Sequence, residues 1–240
     1  MKLTLIITVF IFLIISCKKK ELPKPEENSP DPIENSTIQE GLDDGDFESW
    51  TSFSQGAVTY MEPSSGWWGT LNKLSYLGSP ITVSKDSLSY KNQFSAKLET
   101  KMWGSSFLLT GILAAGYFDE NATIGENLIL GRPYDKTPLS LNGYFKYISV
   151  NNDSAGFYAN LTKYNISTQQ RDTIAEATFV VLETVNSFTL FEIPFEYYTS
   201  GINPDTINVV FTSSAGGKDF LGQEGSTLYV DDVYLELSAK

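Results

Sequence analysis

The sequence contains no histidine and only one cysteine among its 240 residues. Without histidine there is no Ser-His-Asp or Cys-His catalytic triad, no His-rich zinc site and no imidazole proton shuttle. A single cysteine excludes an intrachain disulfide framework and a metal site built from several thiolates. Basic residues are also scarce: 17 Lys and Arg stand against 29 Asp and Glu, for a net charge of −12. This balance argues against nucleic acid as a partner.

The amino acids that are present favour an all-β fold. Hydrophobic residues make up 41% and charged residues 19% of the chain, which is too apolar for a disordered protein. Alternating apolar and polar runs recur between turn signals, and no window holds a helical apolar stripe longer than two turns. We predict strands over residues 94–99, 106–114, 141–150, 157–164, 177–182, 188–193, 207–212 and 227–237. Their spacing predicts a two-sheet antiparallel β-sandwich over residues 41–240.

The N-terminus has the layout of a bacterial lipoprotein signal. An apolar run from Leu3 to Ile15 is too short for a membrane-spanning helix. It leads to Ser16 and Cys17, which resemble a lipobox, and Cys17 is therefore the expected lipidation site. An ordinary signal peptide or a lone anchor helix remains the alternative. We expect residues 1–16 to be the signal peptide, and residues 17–40 to be the lipidated cysteine and a flexible, disordered linker.

Two acidic residues near the ends of the predicted domain form a candidate calcium site. Two-residue periodicity places Asp231 on an otherwise apolar face of the closing strand. A carboxylate there must be paired, hydrogen-bonded or bound to a metal. Glu48 lies in the opening segment, which we expect to form the neighbouring strand. Oxygen ligands of this kind suit calcium, and the alternative is that Asp231 or Asp232 caps a strand end by accepting backbone N–H bonds.

Aromatic and polar side chains that could contact a sugar occur at six positions. Sugar binding uses aromatic faces for the apolar side of a pyranose and polar groups for its hydroxyls. The candidate ligand-binding residues are Trp67, Trp68, Trp103, Arg132, Tyr144 and Lys146. Since consecutive residues of an extended chain face opposite ways, we expect one of Trp67 and Trp68 to pack inwards and the other to be available. The alternatives are core packing for each tryptophan and a surface ion pair for Arg132.

The two ends of the domain and several segments between them carry a family resemblance. Gly45-Asp46-Phe47-Glu48-Ser49-Trp50 at the start and Tyr229-Val230-Asp231-Asp232-Val233 at the end resemble the galactose-binding-like jelly rolls of carbohydrate-binding modules. With segments such as Trp67-Trp68-Gly69-Thr70, Gly131-Arg132-Pro133 and Gly143-Tyr144-Phe145-Lys146-Tyr147, residues 45–237 resemble the putative carbohydrate metabolism domain of bacterial surface lipoproteins. The resemblance implies a jelly-roll fold and a structural calcium between Glu48 and Asp231.

The resemblance and the lipobox together imply a membrane-anchored lipoprotein whose jelly roll binds an oligo- or polysaccharide without cleaving it. The expected location is the cell envelope, at the outer membrane of a Gram-negative bacterium, and the sequence does not indicate which leaflet. Outer-membrane proteins are candidate partners. A glycoside hydrolase is the first alternative, and it would need a carboxylate pair that Glu62, Asp119, Glu120 and Glu126 could supply. A structural or adhesive module that binds a protein through a flat apolar patch is the second.

Overall fold

In the computed structural model, which describes residues 36–123, 125–217 and 221–239, the regular secondary structure is almost entirely β-strand. The strands are β1 Thr37–Gly41, β2 Trp50–Gln55, β3 Val58–Pro63, β4 Trp68–Thr70, β5 Val83–Asp86, β6 Ser95–Glu99, β7 Lys101–Trp103, β8 Phe107–Leu109, β9 Ile112–Phe118, β10 Leu128–Leu130, β11 Arg132–Pro133, β12 Ser140–Ile148, β13 Ala155–Asn165, β14 Gln170–Val181, β15 Val185–Pro194, β16 Glu196–Tyr197, β17 Thr206–Thr212 and β18 Thr227–Ser238. A 3₁₀ helix, Asn72–Leu77, lies between β4 and β5. The prediction of an all-β fold is confirmed.

The predictions for the N-terminus are not addressed by the structure. The predicted signal peptide and Cys17 lie outside the described residues. Within the described ranges, no helix is long and apolar enough to cross a membrane.

Most of the strands form two antiparallel sheets that pack face to face. Sheet 1 has the order β15-β12-β18-β6-β5, with β1 beside β18. Sheet 2 has the order β10-β9-β17-β13-β14-β16, with β4 beside β9 and β11 beside β17. The strand pairs are antiparallel, including those of the separate hairpins β2-β3 and β7-β8. This arrangement is the predicted two-sheet jelly-roll β-sandwich.

An aromatic cluster at the centre of the sandwich fixes which residues face outwards. Phe157 on β13 is fully buried, and its ring lies 5.0 to 5.4 Å, centroid to centroid, from three other phenylalanines. These are Phe145 and Phe191 of sheet 1 and Phe211 of sheet 2. Because side chains alternate along a strand, burial of Phe157 turns Tyr158 to the outer face of sheet 2.

Two predicted boundaries were wrong. The strand expected over residues 106–114 is broken at Gly111, where a Cβ atom would lie 2.6 Å from the Glu99 nitrogen and 2.8 Å from the Thr82 carbonyl oxygen. At this close approach the chain passes from the β7-β8 hairpin into sheet 2, so one predicted strand becomes β8 and β9. The predicted linker, residues 17–40, also extends too far, because β1 begins at Thr37 and pairs with the end of β18.

The closing strand does not alternate as predicted. Leu228 and Val230 point into the core, but Asp232 has a φ of +48° and the register against β12 shifts there, as in a β-bulge. After the bulge the side chain of Val233 points into the core again, so the odd-numbered residues face inwards after the bulge and outwards before it. Asp231 therefore lies on the outer face of sheet 1, opposite Tyr144, and not among the apolar residues. Uninterrupted two-residue periodicity was the wrong assumption.

Candidate functional site

A groove crosses the outer face of sheet 2, over β9, β17 and β13. Its volume is about 510 Å³. The side chains that line it include Thr110, Ile112, Leu130, Tyr158, Asn160, Asn208, Val210, Thr212 and Ser214. These residues mix apolar surface with amide and hydroxyl groups, which is the composition of small-molecule binding sites. We call this cavity the groove.

Tyr158 leans back along β13 and covers Gly156. A Cβ atom at Gly156 would lie 2.5 to 2.8 Å from three atoms of the tyrosine side chain, so the ring can occupy this position only above a glycine. Burial raises the pKa of the Tyr158 hydroxyl. The side chain is half-buried, lies low on the sheet and is part of the lining of the groove.

Beside Tyr158, the groove contains a pair of side-chain amides. Asn160 and Asn208 lie directly opposite each other on β13 and β17, and Asn208 Nδ2 donates a hydrogen bond to Asn160 Oδ1. This bond fixes both amide groups. It leaves the Asn160 NH₂ group as a donor and the Asn208 carbonyl oxygen as an acceptor. A donor and an acceptor on neighbouring strands can together bind hydroxyl groups of a ligand.

A second, apolar cavity adjoins the groove and has a volume of about 560 Å³. We call it the apolar chamber. The side chains that line it include Leu71, Leu74, Trp103, Phe107, Leu108, Leu109, Thr110 and Ile112. Thr110 and Ile112 also line the groove, so the two cavities share a wall. Of the six predicted ligand residues, Trp103 is the one found in the described lining of either cavity.

Trp67, Trp68 and Arg132 form a structural unit at the start of β4. Trp68 is only 3% exposed, donates its indole N–H to the Asp43 carbonyl oxygen at 3.0 Å and belongs to the core, so it is not a ligand platform. Trp67 packs edge-on against it, with ring centroids 4.6 Å apart. Arg132 Nε donates to the Trp67 carbonyl oxygen at 2.8 Å, and its other hydrogen bonds also go to backbone carbonyls. Burial lowers the pKa of Arg132. Its guanidinium therefore holds the backbone of this segment in place.

Tyr144 and Lys146 lie on the outer face of sheet 1, on the opposite side of the sandwich from the groove. The Tyr144 ring stacks on Tyr90, with centroids 3.4 Å apart and an interplanar angle of 8°. The Lys146 ammonium lies 5.8 Å from the centroid of the Tyr229 ring. The six predicted residues are thus divided among three places and do not form one site.

Glu48 and Asp231 hold the same loop, residues 88–94, from two sides. Asp231 Oδ2 accepts the N–H groups of Tyr90 and Lys91 at 2.7 and 3.0 Å, and its Oδ1 accepts the Asp232 N–H at 2.8 Å. Glu48 Oε1 accepts two further N–H groups of the loop at 3.0 and 2.9 Å. Burial raises the pKa of Asp231 to about 6, although its backbone hydrogen bonds oppose the rise.

This geometry matches the alternative in which Asp231 caps backbone N–H groups. The expected strand at residues 45–49 is a turn and loop, yet the Gly45 carbonyl oxygen accepts the Val233 N–H, which brings the two ends together as predicted. Both oxygens of Asp231 accept backbone N–H groups, so the burial of this carboxylate is accounted for without a metal. No cluster of three or more potential metal-ligating residues occurs in the described part of the chain. Calcium stays a prediction.

The carboxylates considered for hydrolysis do not line the described walls of the groove or the chamber. Burial raises the pKa of Glu62 to about 7, partly opposed by a hydrogen bond from the Thr70 hydroxyl at 2.6 Å. Its Oε2 is buried and has no partner among the described residues. Glu120 is exposed and pairs with Lys73, and Asp119 accepts the Asn121 N–H at 2.9 Å.

Sequence reasoning missed Tyr158, Asn160 and Asn208. Their signal was present, because each is a polar or amphipathic position between two core residues on a predicted strand. What the sequence could not indicate is that β13 and β17 are neighbours and that no other layer of the described chain covers these positions.

Comparison with known proteins decides the family. Residues 39–236 match the family model described as "Putative carbohydrate metabolism domain". The chain belongs to this family. No curated protein matches the sequence.

Two solved structures share the fold of this chain, and a third aligns with a lower score. A putative glycoside hydrolase from Bacteroides vulgatus aligns with a TM-score of 0.67 and 21% identity, over 79% of this chain and 96% of that one. A putative glycoside hydrolase from Bacteroides thetaiotaomicron aligns with a TM-score of 0.63 and 20% identity, over 84% and 71%. The family 11 carbohydrate-binding module from Clostridium thermocellum, solved with a β-1,3-1,4-mixed-linked tetrasaccharide, has a TM-score of 0.36 and 13% identity, over 82% and 94%. The identities are low, so the two Bacteroides structures establish the shared fold alone.

Proposed function

We propose that this protein is a membrane-anchored lipoprotein that binds an oligo- or polysaccharide in the groove of sheet 2 without cleaving it. The observation that carries the proposal is the combination of Tyr158, held low over Gly156, with the fixed amide pair Asn160 and Asn208. Membership of a carbohydrate metabolism family supports a saccharide as the ligand. Lipidation at Cys17 and an outer-membrane location rest on the lipobox and are part of the proposal.

The chemistry of the groove suits a pyranose. The apolar face of the sugar would pack on the Tyr158 ring, and its hydroxyls would bind the free donor of Asn160 and the free acceptor of Asn208. Because the tyrosine ring and both amides are already fixed, little side-chain entropy is lost on binding. The volume of about 510 Å³ lies within the usual range for ligand sites.

A glycan array on the purified protein, with product analysis of every glycan bound, tests this proposal. We expect Tyr158→Ala and Asn208→Ala each to abolish or strongly weaken the signal. Tyr144→Ala, on the opposite face, is the matched control and should bind as the wild type does. Loss of binding in the control, or full binding in both groove variants, would place the site elsewhere. Cleaved products would favour the hydrolase alternative.

The anchor has its own test. We expect wild-type cells to incorporate radiolabelled palmitate into the protein, and the Cys17→Ser variant to remain an unlabelled, soluble or uncleaved form. Equal labelling of the variant would contradict the lipobox interpretation.

A further inference from the structure

We infer that the groove selects an uncharged saccharide over an acidic one, and that Glu176 contributes to this selection. The inference rests on the proposed function of the groove and names the class of saccharide that the groove would take. Three observations support it: the described lining of the groove carries no charged group, a carboxylate lies beside the amide pair, and the cations on the strands of sheet 2 already have acceptors within the protein.

The described lining of the groove consists of apolar side chains, hydroxyls and amides. A carboxylate or sulfate that lost water there would find no cation in this lining, and desolvating an unpaired ion is costly. The amide pair makes the same distinction. A sugar hydroxyl can accept from Asn160 and donate to Asn208, whereas a carboxylate can only accept and would face the Asn208 carbonyl oxygen without a proton to share. The chemistry of the lining therefore favours hydroxyls.

Glu176 adds a negative charge beside the amide pair. It lies directly opposite Asn160 on β14, so that Asn208, Asn160 and Glu176 form a row across three neighbouring strands. The residues on either side of Glu176 in β14 belong to the core, which places its side chain on the outer face of sheet 2 with the asparagines. The Tyr198 hydroxyl donates to Glu176 Oε2 at 2.8 Å, and no described lysine or arginine pairs with this carboxylate.

An acidic group bound at the amide pair would lie within reach of this charge. Side chains directly opposite each other in an antiparallel pair have Cβ atoms about 4.5–5.5 Å apart, which is less than the screening length of about 8 Å at physiological ionic strength. Because Glu176 is exposed, the repulsion is modest and depends on salt. Glu176 therefore affects the choice of ligand more than binding itself.

The strands of sheet 2 carry three cationic side chains, and each has an acceptor within the protein. Arg171 Nη1 donates to Asp205 Oδ1 at 2.6 Å and forms an ion pair with it. Lys163 Nζ donates to the Asn203 carbonyl oxygen at 2.9 Å, and the guanidinium of Arg132 holds backbone carbonyls. An acidic ligand would have to compete with these contacts for a cation, and a neutral ligand needs none.

Titration calorimetry with a size-matched pair of glycan derivatives tests the inference. The probes are the hydroxyethyl and carboxymethyl derivatives of the glycan that binds best on the array, prepared to the same degree of substitution. The two substituents are similar in size and differ in charge. At about 50 mM NaCl we expect the wild type to bind the hydroxyethyl derivative at least about fivefold more tightly. Glu176→Gln, which keeps an acceptor for Tyr198, should reduce this ratio about two- to threefold and leave the affinity for the hydroxyethyl derivative unchanged.

Glu192→Gln is the matched control, because it removes the same charge from an exposed position on the outer face of sheet 1. It should leave the affinity ratio unchanged. At about 1 M NaCl the screening length falls to about 3 Å, so the ratios of the wild type and Glu176→Gln should become equal.

The outcomes separate this inference from the proposed function. Equal affinity of the wild type for the two derivatives, or tighter binding of the carboxymethyl derivative, would overturn the inference and leave saccharide binding intact. An array on which the protein binds only glycans with carboxylate or sulfate groups would do the same. A ratio at low salt that is identical in the wild type and Glu176→Gln would overturn the role of Glu176. Absence of binding to any saccharide would overturn the proposed function and the inference with it.

Discussion

Replacing Glu62 by glutamine should remove a large part of the pH dependence of stability. In the folded protein the pKa of Glu62 is raised from an ordinary value of 4.5 to about 7, mainly by burial. Between these two values the folded state holds a proton that the unfolded state has released, so stability falls as the pH rises from about 4.5 to 7. At about 1.4 kcal/mol per pH unit, the difference corresponds to a loss of about 3 kcal/mol. The glutamine side chain of Glu62→Gln would keep the hydrogen bond from Thr70 and cannot ionise.

Equilibrium urea unfolding at pH 4.5, 6, 7 and 8 measures this effect. The free energy of unfolding of Glu62→Gln should be within about 1 kcal/mol of the wild type at pH 4.5 and about 3 kcal/mol above it at pH 8. Glu120→Gln is the matched control, because Glu120 is an exposed partner of Lys73, and it should differ by less than about 1 kcal/mol at every pH. A constant difference between Glu62→Gln and the wild type across this range would refute the reasoning.

Three further predictions concern the groove, the core and the loop at residues 88–94. Gly156→Ala should lift the Tyr158 ring off the sheet, since a Cβ would lie 2.5 to 2.8 Å from atoms of the tyrosine side chain. The native fold should be kept, and glycan affinity measured by titration calorimetry should fall about tenfold. Unchanged affinity would show that the position of the ring is unimportant for binding. Trp68→Ala should cost about 3–5 kcal/mol in urea unfolding and Trp67→Ala clearly less, because only the former is deeply buried; equal losses would contradict this. Asp231→Ala should lower the melting temperature even in the presence of chelator, because three backbone N–H groups lose their acceptor. If this variant and the wild type melt at the same temperature in chelator, the hydrogen bonds of Asp231 do not stabilise the fold. In the wild type, a chelator-induced fall that calcium reverses better than magnesium would support the calcium prediction, and identical melting curves would remove it.

The sheet architecture was predictable because its cause is local. Alternation of apolar and polar residues in runs such as residues 157–164 indicates that one face of the strand is buried. Phe157 and Leu161, which this pattern places on the buried face, are core residues in the structure. The pattern failed at Asp232, where a positive φ inserts a bulge and exchanges the faces of β18. A bulge depends on the neighbouring strand, so the sequence of β18 alone contains no clear sign of it.

The site was less predictable because it depends on which strands are neighbours. Trp68 and Arg132 looked suitable by residue type, yet the fold uses one as core and the other to hold backbone carbonyls. Asn160 and Asn208 are 48 positions apart in sequence and become a pair only through the register of β13 with β17. Glu48 and Asp231 lie at one loop, as expected, and that loop donates N–H groups to Glu48 Oε1 and Asp231 Oδ2. The sequence of the two ends contains no sign of this loop, because its donor groups lie more than 40 positions from either residue.

Binding of a glycan to the groove is the central claim, and titration calorimetry of the wild type against Asn208→Ala tests it most directly. Asn208 is half-buried on the outer face of β17 and is not a core residue. We expect a dissociation constant at least about tenfold higher in the variant, with a melting temperature close to that of the wild type. An unchanged dissociation constant in a folded Asn208→Ala protein would contradict glycan binding in the groove.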